Sequence, residues 1–142
     1  MKLRLESAEK TSQSKVKQAI SNLVNFAHDT GMITKPENSK RMLDAIYTDQ
    51  FGTKIGIAVV MGKDHSKNLA SVENILKASA LVDKLLILTN TNIPKTPQAT
   101  IINIDKAKMV DLLYFSNRYS DNKILEPENE KIHALAKTIS II

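Results

Sequence analysis

The chain has 142 residues, 42% of them hydrophobic and 25% charged, the length and composition of one globular domain able to bury about 70% of its unfolded surface in a core of its own. It contains no cysteine, which excludes disulfides and thiolate zinc sites and suits a reducing cytoplasm. The formal net charge of +5 permits contact with nucleic acid, whereas 4% aromatic content without tryptophan argues against a binder that stacks single-stranded bases on aromatic platforms.

The opening "MKLRLESAEK" carries charges where a secretory leader needs an apolar stretch. No apolar run nears the roughly 20 residues that span a bilayer. A cytoplasmic protein with no membrane contact is expected. Residues 1–12 show no helical period and read as a lead-in or a short strand at "KLRLE". From Ser14, Val16, Ile20, Leu23, Val24 and Ala27 fall on one helical stripe, and Gly31 suits the position just past a helix end. "TKPENSKR" is a polar loop broken by Pro36 and Asn38.

"MLDAIYT", "DQFG" and "TKIGIAVVM" form a strand, turn and strand, the pattern of a β-hairpin. The second strand is apolar on both faces and belongs in the middle of a covered sheet. "GKDHS" leads into a helix capped by Asp64 or Ser66, with Leu69, Val72, Leu76 and Ala80 as its stripe and Ile75 beside it. "DKLLILT" and "ATIINI" are two further strands around the loop "NTNIPKTPQ". A strand, helix and strand over residues 53–89 imply a parallel pair. "DKAKMVDLLYFSNRYS" is a helix capped by Asp105 with Val110, Leu112 and Leu113 inward. Pro127 opens a last helix over about 127–140, with Ile132, Leu135 and Ile139 as its apolar face. The whole is one α/β domain over residues 1–142: a mixed sheet of about four strands with helices on both faces.

This order, with the hairpin "MLDAIYTDQFGTKIGIAVVMGK" and "LLILTNT" followed by "IINIDKAKMVDLL", resembles the restriction-endonuclease-like PD-(D/E)xK superfamily, in the flavour of Mrr-like enzymes and Holliday junction resolvases. The resemblance covers about residues 14–118 and implies a three-layer sandwich. In that family an Asp begins the hairpin and an acid-x-Lys triplet lies on its second strand. Side chains two apart on a strand share a face, so acid and lysine serve one metal-dependent hydrolytic cleft. Asp44 matches the first Asp. Ala58 and Val60 stand where the acid and lysine belong, and no acid occurs between Thr53 and Gly62.

The resemblance therefore implies a vestigial site, no resident metal and no cleavage. It implies a non-catalytic protein that binds DNA or scaffolds a nucleic-acid-processing complex, with a homodimer expected. Two alternatives stand beside it. One is a Mg2+-dependent endonuclease whose site has migrated to Asp44, Glu73 and Lys67. The other is a protein-interaction module that does not touch nucleic acid.

The expected nucleic-acid contacts are Lys54, Lys63, Lys67, Thr89 and Asn90. Gly62 and Lys63 precede a helix N-terminus, a natural place for an anion. They lack the remaining residues of a Walker loop. Thr89 and Asn90 end a parallel strand, where α/β sheets bind ligands. For each of these the plainer reading is a solvated lysine or a hydrogen-bonded loop start. The same holds for Lys15 and Lys17, which flank Val16. His28, His65 and His133 have no metal-ligand spacing. GxSxG and GxGxxG are both absent from the sequence.

Overall fold

The computed structural model describes residues 2–34, 36, 37 and 42–141, without the side chains of 2–12. Helix α1 spans Lys2–Asp29. Its buried stripe is Val16, Ala19, Ile20, Leu23, Val24, Phe26 and Ala27, as the periodicity requires. The helix starts well before Ser14, which corrects the reading of residues 2–12 as a lead-in or strand. Leu, Arg, Glu, Ala and Lys are good helix formers. Once the buried half is nucleated, each added residue costs little. Gly31, at φ 76°, ends the last turn in the left-handed region that a residue without Cβ enters freely.

The hairpin forms as expected. Strand β1 is Ala45–Thr48 and β2 is Lys54–Val60, paired antiparallel with Ala45 opposite Ile57. Its turn is held by Asp49, whose Oδ1 accepts from the amides of Phe51 and Thr53, both at 2.9 Å. Helix α2 is His65–Leu76, followed by β3 at Lys84–Thr89 and β4 at Thr100–Asn103. The sheet order is β1-β2-β3-β4, with β2, β3 and β4 parallel to one another. Isolated bridges from Ile33 to Asp49 and from Glu37 to Ile46 bring part of the loop against β1. The polar sequence gave no sign of this, and Lys35 and the residues 38–41 of that loop lie outside the described ones.

Helices cover both faces of the sheet. One face presents Ala45, Tyr47, Ile55, Ile57, Val59, Leu86 and Leu88 to a core shared with α1, α3 (Lys106–Ser120) and α4 (Asn129–Thr138). The other presents Ile46, Ala58, Val60, Leu85 and Ile87 to Val72 and Ile75 of α2. Asp64 caps α2 and Asp105 caps α3, each accepting from the amide three residues on.

The inward faces of α2 and α3 are rotated from the expected ones. In α2 the buried side chains are Asn68, Val72 and Ile75, and Ala80 lies beyond the helix in a short 3-10 turn. In α3 they are Leu112, Phe115 and Ser116, while Val110, expected inward, is 65% exposed. Pro127 sits in a 3-10 turn that leads into α4. The chain end turns back into the core, where Ile139 and Ile141 are buried and the Tyr47 hydroxyl donates to the Ile141 carbonyl at 2.8 Å. Among the described residues no helix is long and apolar enough to cross a membrane.

Candidate functional site

The site is built at the point where β1 ends and β2 continues. β1 begins at Ala45, opposite Ile57, so the edge of β2 beyond that pair has no neighbouring strand on the β1 side. Asp44 fills the gap. Its own amide donates to the Ile57 carbonyl at 2.7 Å, and its Oδ2 accepts from the Val59 amide at 2.7 Å. The carboxylate takes the place of a missing strand carbonyl and satisfies a backbone donor on a residue that is 3% exposed.

The second carboxylate oxygen meets an ammonium. Lys17 Nζ lies 3.4 Å from Asp44 Oδ1, with the lysine side chain 41% exposed and the aspartate 17%. Burial pushes the Asp44 carboxyl above the ordinary carboxylate value, and the Val59 amide and Lys17 offset this only in part. The lysine that serves Asp44 thus comes from α1, not from β2. No sequence pattern links Lys17 to Asp44, because 27 positions separate them on different elements.

Ala58 and Val60 are 0% and 3% exposed. They lie in the apolar layer between sheet and α2, with Val72, Ile75 and Ile87. One carboxylate beside one ammonium makes an ion pair. A divalent cation bound by protein needs several oxygens, and among the described residues no group of three His, Asp or Glu side chains gathers to hold a metal. Glu73 and Lys67 are both exposed on α2, and the side chains that α2 buries are Asn68, Val72 and Ile75.

The other expected residues divide between two ends of the sheet. Lys63, Lys67 and Asn90 are exposed around the carboxyl ends of β2 and β3. Thr89, expected to contact a ligand there, is fully buried. Its hydroxyl lies 3.1 Å from that of Thr91 and accepts from the Thr91 amide at 3.1 Å. This corrects the expectation for Thr89: its polar atom is spent inside the fold. Asn68, absent from the expected set, closes the same corner by donating to the Gly62 carbonyl at 3.0 Å and to Thr91 Oγ1 at 3.4 Å. Its spacing with Val72 and Ile75, i, i+4 and i+7, was the available signal. Lys54 lies at the opposite end of β2, about 20 Å away by strand rise, and pairs with Glu37 at 2.9 Å.

Comparison of the chain with protein-family models, with curated proteins and with solved structures returned no match in any of the three.

Proposed function

We propose that the chain is a non-catalytic α/β domain of restriction-endonuclease-like architecture that binds nucleic acid. The observation that carries the non-catalytic part of the reading is the state of the three positions where the resemblance puts hydrolytic residues. Ala58 and Val60 pack in an apolar layer, and Asp44 is committed to the Val59 amide and Lys17. This favours loss of cleavage over a working metal centre.

For binding, the support is electrostatic. The net charge is +5, and Lys63 and Lys67 are exposed beside Asn90. Phosphate contacts of this kind position a protein on nucleic acid without reading sequence. Thr89 and Lys54 are left out of the proposed surface, one buried and the other paired with Glu37.

The test is fluorescence anisotropy with labelled duplex and four-way-junction DNA over a salt series with magnesium, the same samples then run on a denaturing gel. Affinity should fall steeply with salt over intact DNA. Lys63→Ala combined with Lys67→Ala should lower the salt slope by about 2. Cut DNA would revive the migrated Asp44, Glu73 and Lys67 site. Absence of binding at low salt would leave the protein-interaction module.

A further inference from the structure

Between α3 and α4 lies a groove of about 550 Å³, a size that falls in the range of about 300–1,000 Å³ typical of small-molecule sites. Phe115, Ile132 and Leu135 supply apolar walls, and Phe115 and Ile132 are buried. The charged side chains that line it are Asp111, Arg118, Glu128 and Lys131. Their hydrogen bonds decide what the groove can accept.

Arg118 and Glu128 hold each other. Nε and Nη2 of the arginine donate to the two carboxylate oxygens, and Nη2 donates also to the Lys123 carbonyl at 2.7 Å. The guanidinium lies over the Tyr114 ring, with Cζ 5.7 Å from its centroid. It is thus fixed in place and half-buried. A guanidinium carries five N–H groups, and these bonds use three. Both hydrogens of Nη1 are without a hydrogen-bond partner among the described residues. Glu128 is neutralised by the pair. Lys131 follows Glu128 by three residues, the spacing of neighbours on a helix surface. It is exposed and forms no ion pair among the described residues. One end of the groove therefore offers a fixed guanidinium and an ammonium, both with donors to spare. Asp111 stands seven residues before Arg118, about 10 Å away along α3. It is exposed, where water and salt screen its charge.

We infer that this groove binds a small monocarboxylate with an elongated apolar body. The carboxylate accepts from Arg118 Nη1 on α3 and from the Lys131 ammonium on α4, both charge-assisted bonds. The body lies along Phe115, Ile132 and Leu135, away from water. Glu128 pre-organises the guanidinium and takes no bond from the ligand. Asp111, at the far end, disfavours a second anionic group, so the ligand carries its negative charge at one end only. The inference does not depend on the nucleic-acid reading.

The test is isothermal titration calorimetry of the full chain with octanoate, octanol and octylammonium, which share a body and differ in the head group. Octanoate should bind once per chain and at least about tenfold more tightly than either of the others. Lys131→Ala should weaken octanoate about threefold or more and leave octanol unchanged. Ala134 also lines the groove and is exposed, so Ala134→Trp should fill the groove and abolish octanoate binding. Both substitutions are at exposed positions, so circular dichroism and melting should stay as in the wild type. Absence of saturable octanoate binding would overturn the inference. So would equal or tighter binding of octanol or octylammonium, or octanoate binding unchanged in Ala134→Trp.

Discussion

Asp44 offers the sharpest test of the site's chemistry, through the contrast between Asp44→Asn and Asp44→Ala. Asparagine keeps an oxygen where the Val59 amide needs an acceptor and removes the buried charge. Lys17, 41% exposed, loses its partner but stays hydrated. Alanine removes the acceptor and leaves the amide of Val59, bonded at 2.7 Å in the wild type, unsatisfied among apolar side chains. A buried donor left without a partner costs about 1–3 kcal/mol. For a domain of this size that lowers the melting temperature by about 3–10 °C. Asp44→Asn should stay within about 1 kcal/mol of wild type at neutral pH, since the lost ion pair is partly exposed and weak.

The pH dependence separates the two contributions. Burial raises the folded-state pKa of Asp44 above its ordinary 3.8. The folded protein therefore holds this proton more tightly than the unfolded chain. The stability that comes with the proton is full below the ordinary value and is lost as pH rises through the folded value. Asp44→Asn has no such loss, so its stability relative to wild type should climb as pH rises from about 4 towards neutral. Chemical denaturation of the three proteins across that range reads both effects. An Asp44→Ala variant as stable as wild type would refute the capping role. A wild type that gains on Asp44→Asn as pH rises would refute the assignment of burial as the dominant influence.

Val60→Lys, which restores the ammonium of the resembled triplet, should cost about 3–5 kcal/mol by burying an unpaired charge; urea denaturation measures it. The double variant Ala58→Glu, Val60→Lys should not gain magnesium-dependent cleavage on a denaturing gel. Gly56→Ala should destabilise by about 1–3 kcal/mol, because a Cβ there would meet Leu43 Cδ1 at 3.0 Å and Val82 Cγ1 at 3.1 Å; the drop in melting temperature checks it. Tyr47→Phe removes the hydroxyl that holds the Ile141 carbonyl and should cost about 1–2 kcal/mol. Faster hydrogen exchange at the last residues of the chain would locate that loss.

The elements were legible in the sequence where a short run carried its own signal. The hairpin followed from two apolar runs around "DQFG". The cap of α3 followed from Asp105 and that of α2 was narrowed to Asp64 or Ser66; the structure chooses Asp64, and the two aspartates accept from the amides of Lys108 and Lys67. What failed in α3 was the choice between neighbouring faces where a short stretch is apolar nearly all round. In "KMVDLLYF" six of eight residues are apolar, so periodicity alone does not rank Val110 below Leu112. Packing against α1 decides, and there Asn22 Nδ2 donates to Ser116 Oγ at 2.8 Å. Asn22 and Ser116 escaped because they meet only once α1 and α3 pack, whereas Asn68 lay in step with Val72 and Ile75 but, being polar, fell outside an apolar stripe. At the candidate site strand alternation puts Ala58 and Val60 on one face of β2, and the choice of that face came from the resemblance. Lys17 could not, because its meeting with Asp44 exists only once α1 lies across the hairpin.

The fates of Asp44, Ala58 and Val60 follow from position in the sheet without any appeal to lost catalysis. β2 is covered on both faces, so its interior positions take side chains without charge, and Ala58 and Val60 satisfy that. Asp44 stands where β1 gives out and an amide of β2 needs an acceptor, which a short oxygen-bearing side chain supplies. Asp44 is thus accounted for by backbone hydrogen bonding and does not by itself mark a metal site. The case for a nuclease-like domain then rests on topology, and the case for nucleic-acid binding rests on Lys63 and Lys67 at the carboxyl ends of the strands. These separate in one comparison. Asp44→Asn should bind DNA as the wild type does, while the Lys63→Ala, Lys67→Ala variant should bind weakly with a shallower salt slope. Loss of binding in Asp44→Asn with the fold intact would instead place the carboxylate itself at the nucleic acid.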